Sequence, residues 1–213
     1  MKRNTSSVLS YYDKKGYQEY KVGHDRLEHI YLKNLLSKQS VDGKSIIEIG
    51  AGASQYRDIF LSMNCRQYTG IEVVNLRIPQ EIPDRCVYKC IDIHDFETEE
   101  RFDIVFFSLT YMYLGDRHQV LRKCAQMLVP NGVIIFIEPN YLSLITLVRT
   151  VFGNIFKKMP IIPFLPYKLK SDLKKLGLLV EHHSFFTRDK KILSAPMIAT
   201  NTKILARKQF SER

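Results

Sequence analysis

The sequence predicts an α/β fold: a mostly parallel, seven-stranded sheet with helices on both faces and a small helical cap after the fifth strand. Three observations predict it. Short apolar runs rich in β-branched residues recur along the chain, separated by polar or helix-forming stretches, the alternation that builds a covered parallel sheet. The first run passes straight into a glycine turn, Gly50-Ala-Gly52, ahead of a segment with helical character. A length of 213 residues, 45% of them apolar and 25% charged, is enough for one core and too little for two full-sized domains.

Residues 24–37 carry Leu27, Ile30, Tyr31, Leu35 and Leu36 at roughly amphipathic-helix spacing, and Asp42-Gly43 supplies the turn that follows. Ser45–Ile49 is the first strand, and residues 55–63 are the candidate helix after it. Residues 68–74, 87–91, 102–107 and 132–137 repeat the strand signal. Before the last of these, residues 116–128 place Val120, Leu121, Cys124, Ala125 and Leu128 on one side of a helix that Val129-Pro130-Asn131-Gly132 ends. A helix over 170–176 and two apolar runs, Leu178–Phe186 and 198–206, complete the seven strands. Residues 1–44 are then an N-terminal lid and helix, 45–213 the main domain, and 139–170 the cap inserted in it.

Several protein classes are excluded. The longest apolar stretch, 141–156, follows Glu138 and contains Arg149, so it falls short of the roughly 20 residues that cross a bilayer. The basic start Met1-Lys2-Arg3 leads into polar residues and tyrosines rather than an apolar signal core, so a cytoplasmic protein is expected. Cys65, Cys86, Cys90 and Cys124 form no Cys-x-x-Cys pair and have no histidine at zinc-ligand spacing; they read as reduced thiols, and no metal is expected. The charge is uneven, with +4 on residues 1–44, −4 on 45–138 and +10 on 139–213. Such basic ends suit either a periphery that meets something anionic or a solvated basic face.

A glycine pair between strand and helix lets the backbone approach a ligand closely, and the helix start offers unpaired N–H groups. The dinucleotide fingerprint fails because its third glycine falls on Gln55, and the phosphate-loop ending Gly-Lys-Ser/Thr is absent. Glu72 ends the second strand twenty residues beyond Gly52, a place from which a carboxylate takes both hydroxyls of a ribose. A ribose-containing ligand other than NAD or ATP is expected.

Four motifs in order resemble those of the class I S-adenosylmethionine-dependent methyltransferases, over residues 45–138 and more weakly to Phe186. Ile46-Ile-Glu-Ile-Gly-Ala-Gly52 resembles the family's first motif, with Glu72 in the place of its ribose-binding acid. Cys90-Ile-Asp92-Ile93 resembles the segment whose aspartate and next backbone N–H hold adenine, and Phe102-Asp-Ile-Val-Phe-Phe-Ser108 the fourth-strand motif. Leu121-Arg-Lys-Cys-Ala-Gln-Met-Leu-Val-Pro-Asn-Gly132 resembles the helix, turn and fifth strand. The resemblance implies a Rossmann-like sheet, S-adenosylmethionine as cofactor, and a binding set of Glu48, Gly50, Gly52, Glu72, Asp92, Ile93 and Ser108. Asp95, which competes with Asp92 for adenine, reads as a loop cap. Ser54 replaces a third glycine and Asn131 the first glycine of the usual Pro-Gly-Gly turn; serine is small, and asparagine tolerates left-handed backbone.

Methyl transfer from a sulfonium is an in-line displacement, so the protein aligns donor and acceptor and, for a weak nucleophile, removes a proton. The segment expected to face the sulfonium reads Ser108-Leu-Thr-Tyr111-Met-Tyr113-Leu, without the Asn/Asp-Pro-Pro-Tyr motif of amino-group methyltransferases, and the chain lacks the Pro-Cys nucleophile of cytosine C5 methylation. Tyr111, His118 and Glu138 are the candidate catalytic residues, with Tyr113 beside them. Tyr12 and Tyr17 resemble the aromatic lid of small-molecule members. After the fifth strand, Ser143, Thr146, Thr150, Asn154 and Lys157 follow one helical stripe, while Leu144, Leu147, Val148, Val151, Ile155 and Phe156 face away from it. This insertion resembles the acceptor-covering cap of methyltransferases acting on metabolites, sugars, quinones or lipid-linked glycans. Arg149, Lys157, Lys158, Lys168 and Lys170 make an anionic membrane surface the alternative. The expected acceptor is an O or N atom of a small-molecule, sugar or lipid-linked compound. It stands ahead of RNA, for which no binding module is visible, and of a non-catalytic cofactor-binding role.

Overall fold

In the computed structural model, which describes residues 5–15, 27–37, 39–53, 55–156, 158–187, 192–193 and 196–209, the apolar runs of the sequence join one sheet. Its strands are β1 (Ser45–Ile49), β2 (Gln67–Glu72), β3 (Cys86–Cys90), β4 (Phe102–Ser108), β5 (Leu128–Pro139), β6 (Leu178–Phe186), β7 (Ile192–Leu193) and β8 (Asn201–Lys208). They take the order β3-β2-β1-β4-β5-β8-β6-β7. Pairing is parallel from β3 through β5, whereas β8 runs antiparallel between β5 and β6 and β7 lies antiparallel on the outer edge of β6. Seven strands make the expected frame, and the two-residue β7 is added to it.

Period-two alternation buries both faces of the central strands. Ile47 and Ile49 of β1, Val105 and Phe107 of β4, and Ile134 and Phe136 of β5 point to one face. There they meet Val120, Leu121 and Cys124 of α4 (Arg117–Met127) and Leu169 and Leu173 of α6 (Pro166–Lys175). Ile46, Ile104, Phe106, Val133 and Ile135 point to the other, against Tyr31, Leu32, Leu35 and Leu36 of α2 (Leu27–Leu36) and Ile59 and Phe60 of α3 (Arg57–Ser62). Helix α1 (Thr5–Lys15) precedes this frame.

The turn before the apolar run of β5 departs from the expected helix end. Helix α4 stops at Met127, and Leu128 already pairs with Phe102; the register then shifts before Ile104 meets Val133. Asn131 supplies the left-handed residue this detour needs, at φ 62°. Gly132 follows where a side chain would stand 3.0 Å from the carbonyl of Val129 and 3.1 Å from that of Asp103.

The cap helix α5 (Leu144–Phe156) forms, but with an unexpected orientation. Its small and polar residues Thr146, Thr150 and Gly153 are buried, and its large apolar residues are exposed except Leu147, which was expected on the outward stripe but packs against the core. The helix therefore does not turn an apolar face toward an acceptor. Lys157, Tyr17 and Ser54 lie outside the described residues.

Candidate active site

In a parallel sheet the crevice opens at the carboxyl ends of the strands where the chain order reverses, here between β1 and β4. At that point lies a cavity of about 340 Å³, the scale of a small-molecule site. Its walls come from the turn after β1, the ends of β2, β3 and β4, and the α1 residues Thr5, Val8 and Tyr12. Glu48, Gly50, Gly52, Glu72, Asp92, Ile93 and Ser108 all line it. The strand register brings them together, since each stands at or just past the carboxyl end of its strand.

The turn after β1 is fastened on both sides. The Gly50 and Ala51 N–H groups donate to the Ile71 carbonyl at 2.8 and 3.0 Å, and Thr110 Oγ1 donates to the Gly50 carbonyl at 3.3 Å. Glu72, 4% exposed, accepts from Gly52 N through Oε2 at 2.8 Å and from Val74 N through Oε1 at 3.0 Å. Each carboxylate oxygen keeps a further lone pair for a ligand hydroxyl. Asp92 Oδ1 accepts from His94 N at 2.9 Å and lies 2.6 Å from His94 Nδ1, and Oδ2 accepts from Thr5 Oγ1. Burial opposes ionisation of Asp92, but hydrogen bonds from Thr5 and His94 outweigh it and hold the carboxyl below its ordinary range. Ser108 Oγ is 2.6 Å from Tyr56 Oη.

Glu48 is different, because its carboxyl is enclosed and accepts from the Tyr68 hydroxyl at 2.5 Å. Burial pushes it up to about 8, the Tyr68 bond pulling down and Glu72 adding to the rise. The folded chain therefore holds a proton here that the unfolded chain gives up near the ordinary carboxyl value. The associated stability is complete below that value and is lost as pH rises through the folded value. Burial likewise pushes Glu138 up to about 7. The melting temperature is expected to fall between about pH 5 and about pH 9, and Glu48→Gln to flatten the upper part of that fall. A Glu48→Gln titration that follows the parent over the whole range would show that Glu48 ionises normally.

None of Tyr111, His118 and Glu138 lines the cavity. Tyr111 was expected over the transferred methyl, but the turn at Tyr111–Tyr113 sends its ring into the core. There it packs edge-on against Phe107, Phe136 and Phe164 and lies under the Arg117 guanidinium. His118 is exposed on α4, 3.0 Å from Arg122, because burial of Val120, Leu121 and Cys124 turns positions 118 and 122 outward. Glu138 is wholly buried, and its Oε1 accepts from Thr110 N and Tyr111 N at 2.9 Å each. It is thus a positioning residue for the loop that carries Thr110 to Tyr113.

Tyr113, expected beside those three, and the expected lid residue Tyr12 do line the cavity, together with Met112, Leu114 and Arg77, to which no role was given. Met112, Tyr113 and Leu114 face the cavity across from Tyr12, whose ring meets that of Tyr113 edge-on at 6.4 Å. Arg77 stands 3.8 Å from Glu72 Oε2 and 4.7 Å over the Tyr12 ring. A basic residue five positions past the strand-end acid was the only sequence signal for it.

This fold is the one shared by class I S-adenosylmethionine-dependent methyltransferases. Residues 47–136 match a family model described as a methyltransferase domain. More particularly, a ubiquinone biosynthesis O-methyltransferase of Rhodopseudomonas palustris (strain HaA2) is 26% identical over 114 residues, 51% of this chain and 45% of that protein. The chain thus spans less than half the length of the curated relatives it matches. Among solved structures, a chain of the complex between the Haloferax volcanii Trm112 methyltransferase activator and a methyltransferase superposes with a TM-score of 0.77. It is 14% identical and is matched over 97% of this chain and 99% of that one. The N-methyltransferase NodS of Bradyrhizobium japonicum WM9, in complex with S-adenosyl-L-homocysteine, gives 0.68 at 16% identity over 95% of this chain and 98% of that one. At these identities the likeness is one of fold.

Proposed function

We propose that the chain binds S-adenosylmethionine in this cavity and transfers its methyl group to an O or N atom of a small-molecule or lipid-linked acceptor. The observation that carries the reading is Glu72. It is a buried carboxylate at the carboxyl end of β2, with both oxygens held by backbone N–H groups, lining the cavity beside the Gly50–Gly52 turn. Asp92 and the Ile93 backbone would hold the adenine end, and the Ser108 to Leu114 wall would face the sulfonium and the acceptor. Bound there, S-adenosylmethionine supplies the electrophilic methyl group.

The acceptor reading is supported by the character of that wall. Tyr12, Met112, Tyr113 and Leu114 are aromatic or apolar, and burial pushes the phenols of Tyr12 and Tyr113 up, which makes them poor proton acceptors near neutrality. The acceptor would then arrive as its own nucleophile, as an ionised phenol or a free amine does, and the wall would align it. The experiment is calorimetry with S-adenosylmethionine, followed by transfer from donor with a labelled methyl group into a cell extract divided into RNA, lipid and small-molecule fractions. Label in the small-molecule or lipid fraction is expected. Label confined to RNA overturns the acceptor reading, and cofactor binding with no label in any fraction marks a non-catalytic binding protein.

A further inference from the structure

We propose that the outward face of α5 is a docking surface for an anionic lipid bilayer. A helix packed on a globular core normally turns its apolar side inward, and α5 does the reverse. Its polar side is held to the protein by hydrogen bonds: Thr146 Oγ1 donates to the Thr200 carbonyl at 3.3 Å and Asn154 Nδ2 to the Ile161 carbonyl at 2.9 Å. Gly153 lets Met159 close in, since a side chain there would stand 3.0 Å from the Met159 sulfur. The outer side presents Leu144, Val148, Val151, Phe152, Ile155 and Phe156, each 54–71% exposed. The rings of Phe152 and Phe156 stack at 5.2 Å, one helical turn apart.

Two further large apolar residues are exposed on the turn that packs beneath the start of the helix. Met197 and Ile198, 63% and 61% exposed, lie in a turn whose flanking carbonyls at Pro196, Ala199 and Thr200 accept from Asn140 and Thr146. A cluster of this kind is rarely left to water. Among the described residues no helix is long and apolar enough to cross a membrane, so a 13-residue α5 would lie in the plane of the interface.

Charge selects the occupant. Between Glu138 and Asp172 the chain has no acidic residue, while it carries Arg149, Lys157, Lys158, Lys168 and Lys170. Arg149 is exposed on the same side of α5 as Ile145 and Phe152, and Lys158 is exposed just past its end. A second copy docked by two-fold symmetry would set these cations against their equivalents with no carboxylate in the segment to meet them. An anionic bilayer offers an apolar interior to the phenylalanine pair and headgroup charge to the cations at once. The chain after α5 also reaches the cavity rim, where Ile162 N donates to the carbonyl of the lining residue Met112 at 2.8 Å. Docking through α5 would therefore hold that rim near the lipid surface, with the thickness of one helix between them.

The test is co-sedimentation of the full chain with vesicles of phosphatidylglycerol and phosphatidylcholine in equal parts, and with phosphatidylcholine alone. The mixed vesicles should bind at least about tenfold more protein, and added salt should reduce the difference. Phe152→Glu combined with Phe156→Glu should weaken binding by about tenfold or more. Arg149→Glu combined with Lys158→Glu, which keeps the apolar face, should remove the preference for phosphatidylglycerol. Both variants should keep the parent's circular dichroism and S-adenosylmethionine affinity. Absence of vesicle binding by the parent overturns the proposal, as does binding that neither pair of substitutions changes. A parent that is dimeric in solution, becomes monomeric when the phenylalanine pair is replaced and ignores vesicles also overturns it, and makes the face an interface between copies.

Discussion

Glu72→Ala should weaken S-adenosylmethionine binding by tenfold or more and also lower the stability of the empty protein. The side chain has two structural partners before any ligand arrives, Gly52 N at 2.8 Å and Val74 N at 3.0 Å. Gly52 and Val74 are buried, so the substitution leaves two N–H groups without an acceptor, at about 1–3 kcal/mol each. It also strips Arg77 of the carboxylate 3.8 Å away. If the carboxylate accepts both ribose hydroxyls, each charge-assisted bond adds about 1.5–3 kcal/mol to binding, and about 1.4 kcal/mol is already a factor of ten. Glu72→Gln separates the two effects. Its carbonyl oxygen can keep one N–H partner, so it should recover part of the melting temperature while affinity stays low for want of charge. Calorimetry on a folded Glu72→Ala protein that finds parental affinity would remove Glu72 from the cofactor site.

Replacing Gly50 should be more damaging than replacing Gly52, although both have positive φ, 74° and 53°. A side chain at Gly50 would stand 2.3 Å from Thr110 Oγ1 and 2.9 Å from Thr110 Cβ. Thr110 cannot step aside freely, since its N–H donates to Glu138 at 2.9 Å and its hydroxyl to the Ser108 carbonyl at 3.1 Å. At Gly52 the atom met at 2.6 Å is the end of the Arg77 guanidinium, on a long side chain that can swing. A β-branched residue in the left-handed region adds strain of its own. Gly50→Val is therefore expected to cost about 3 kcal/mol or more, a melting decrease of roughly 6–12 °C in a chain of this size, and to abolish cofactor binding. Gly52→Ala should melt within a few degrees of the parent and bind cofactor weakly. Scanning calorimetry that gives the two variants the same melting temperature would show that Thr110 does not close on the turn.

Much of the fold is local chemistry and was legible as such. Ile46-Ile-Glu-Ile-Gly50 is a buried strand running into a tight turn in any context that supplies two neighbouring strands, and β2 and β4 are those neighbours here. Asn131 announced a left-handed turn and takes one. The seven residues read as the cofactor set share the cavity because each closes or follows a parallel strand, and parallel strands present their carboxyl ends on one edge.

Side-chain direction at the ends of elements is set by distant packing, and there sequence reasoning failed. Tyr111 and Tyr113 are two residues apart, yet Phe107, Phe136 and Phe164 draw the first into the core and leave the second on the cavity. Glu138 is a carboxylate at the end of a strand, as Glu72 is. Its oxygen meets the Thr110 and Tyr111 amides only because β4 and β5 are neighbours. The sequence by itself determined the strand order's raw material, the glycine turn and the two faces of α5. Which face of α5 meets the protein was decided by the tertiary structure. Helical periodicity divides polar from apolar without saying what lies beneath, and here backbone carbonyls of Ile161 and Thr200 lie beneath, groups that hydrogen-bond to Asn154 and Thr146 and that an apolar face would leave unsatisfied.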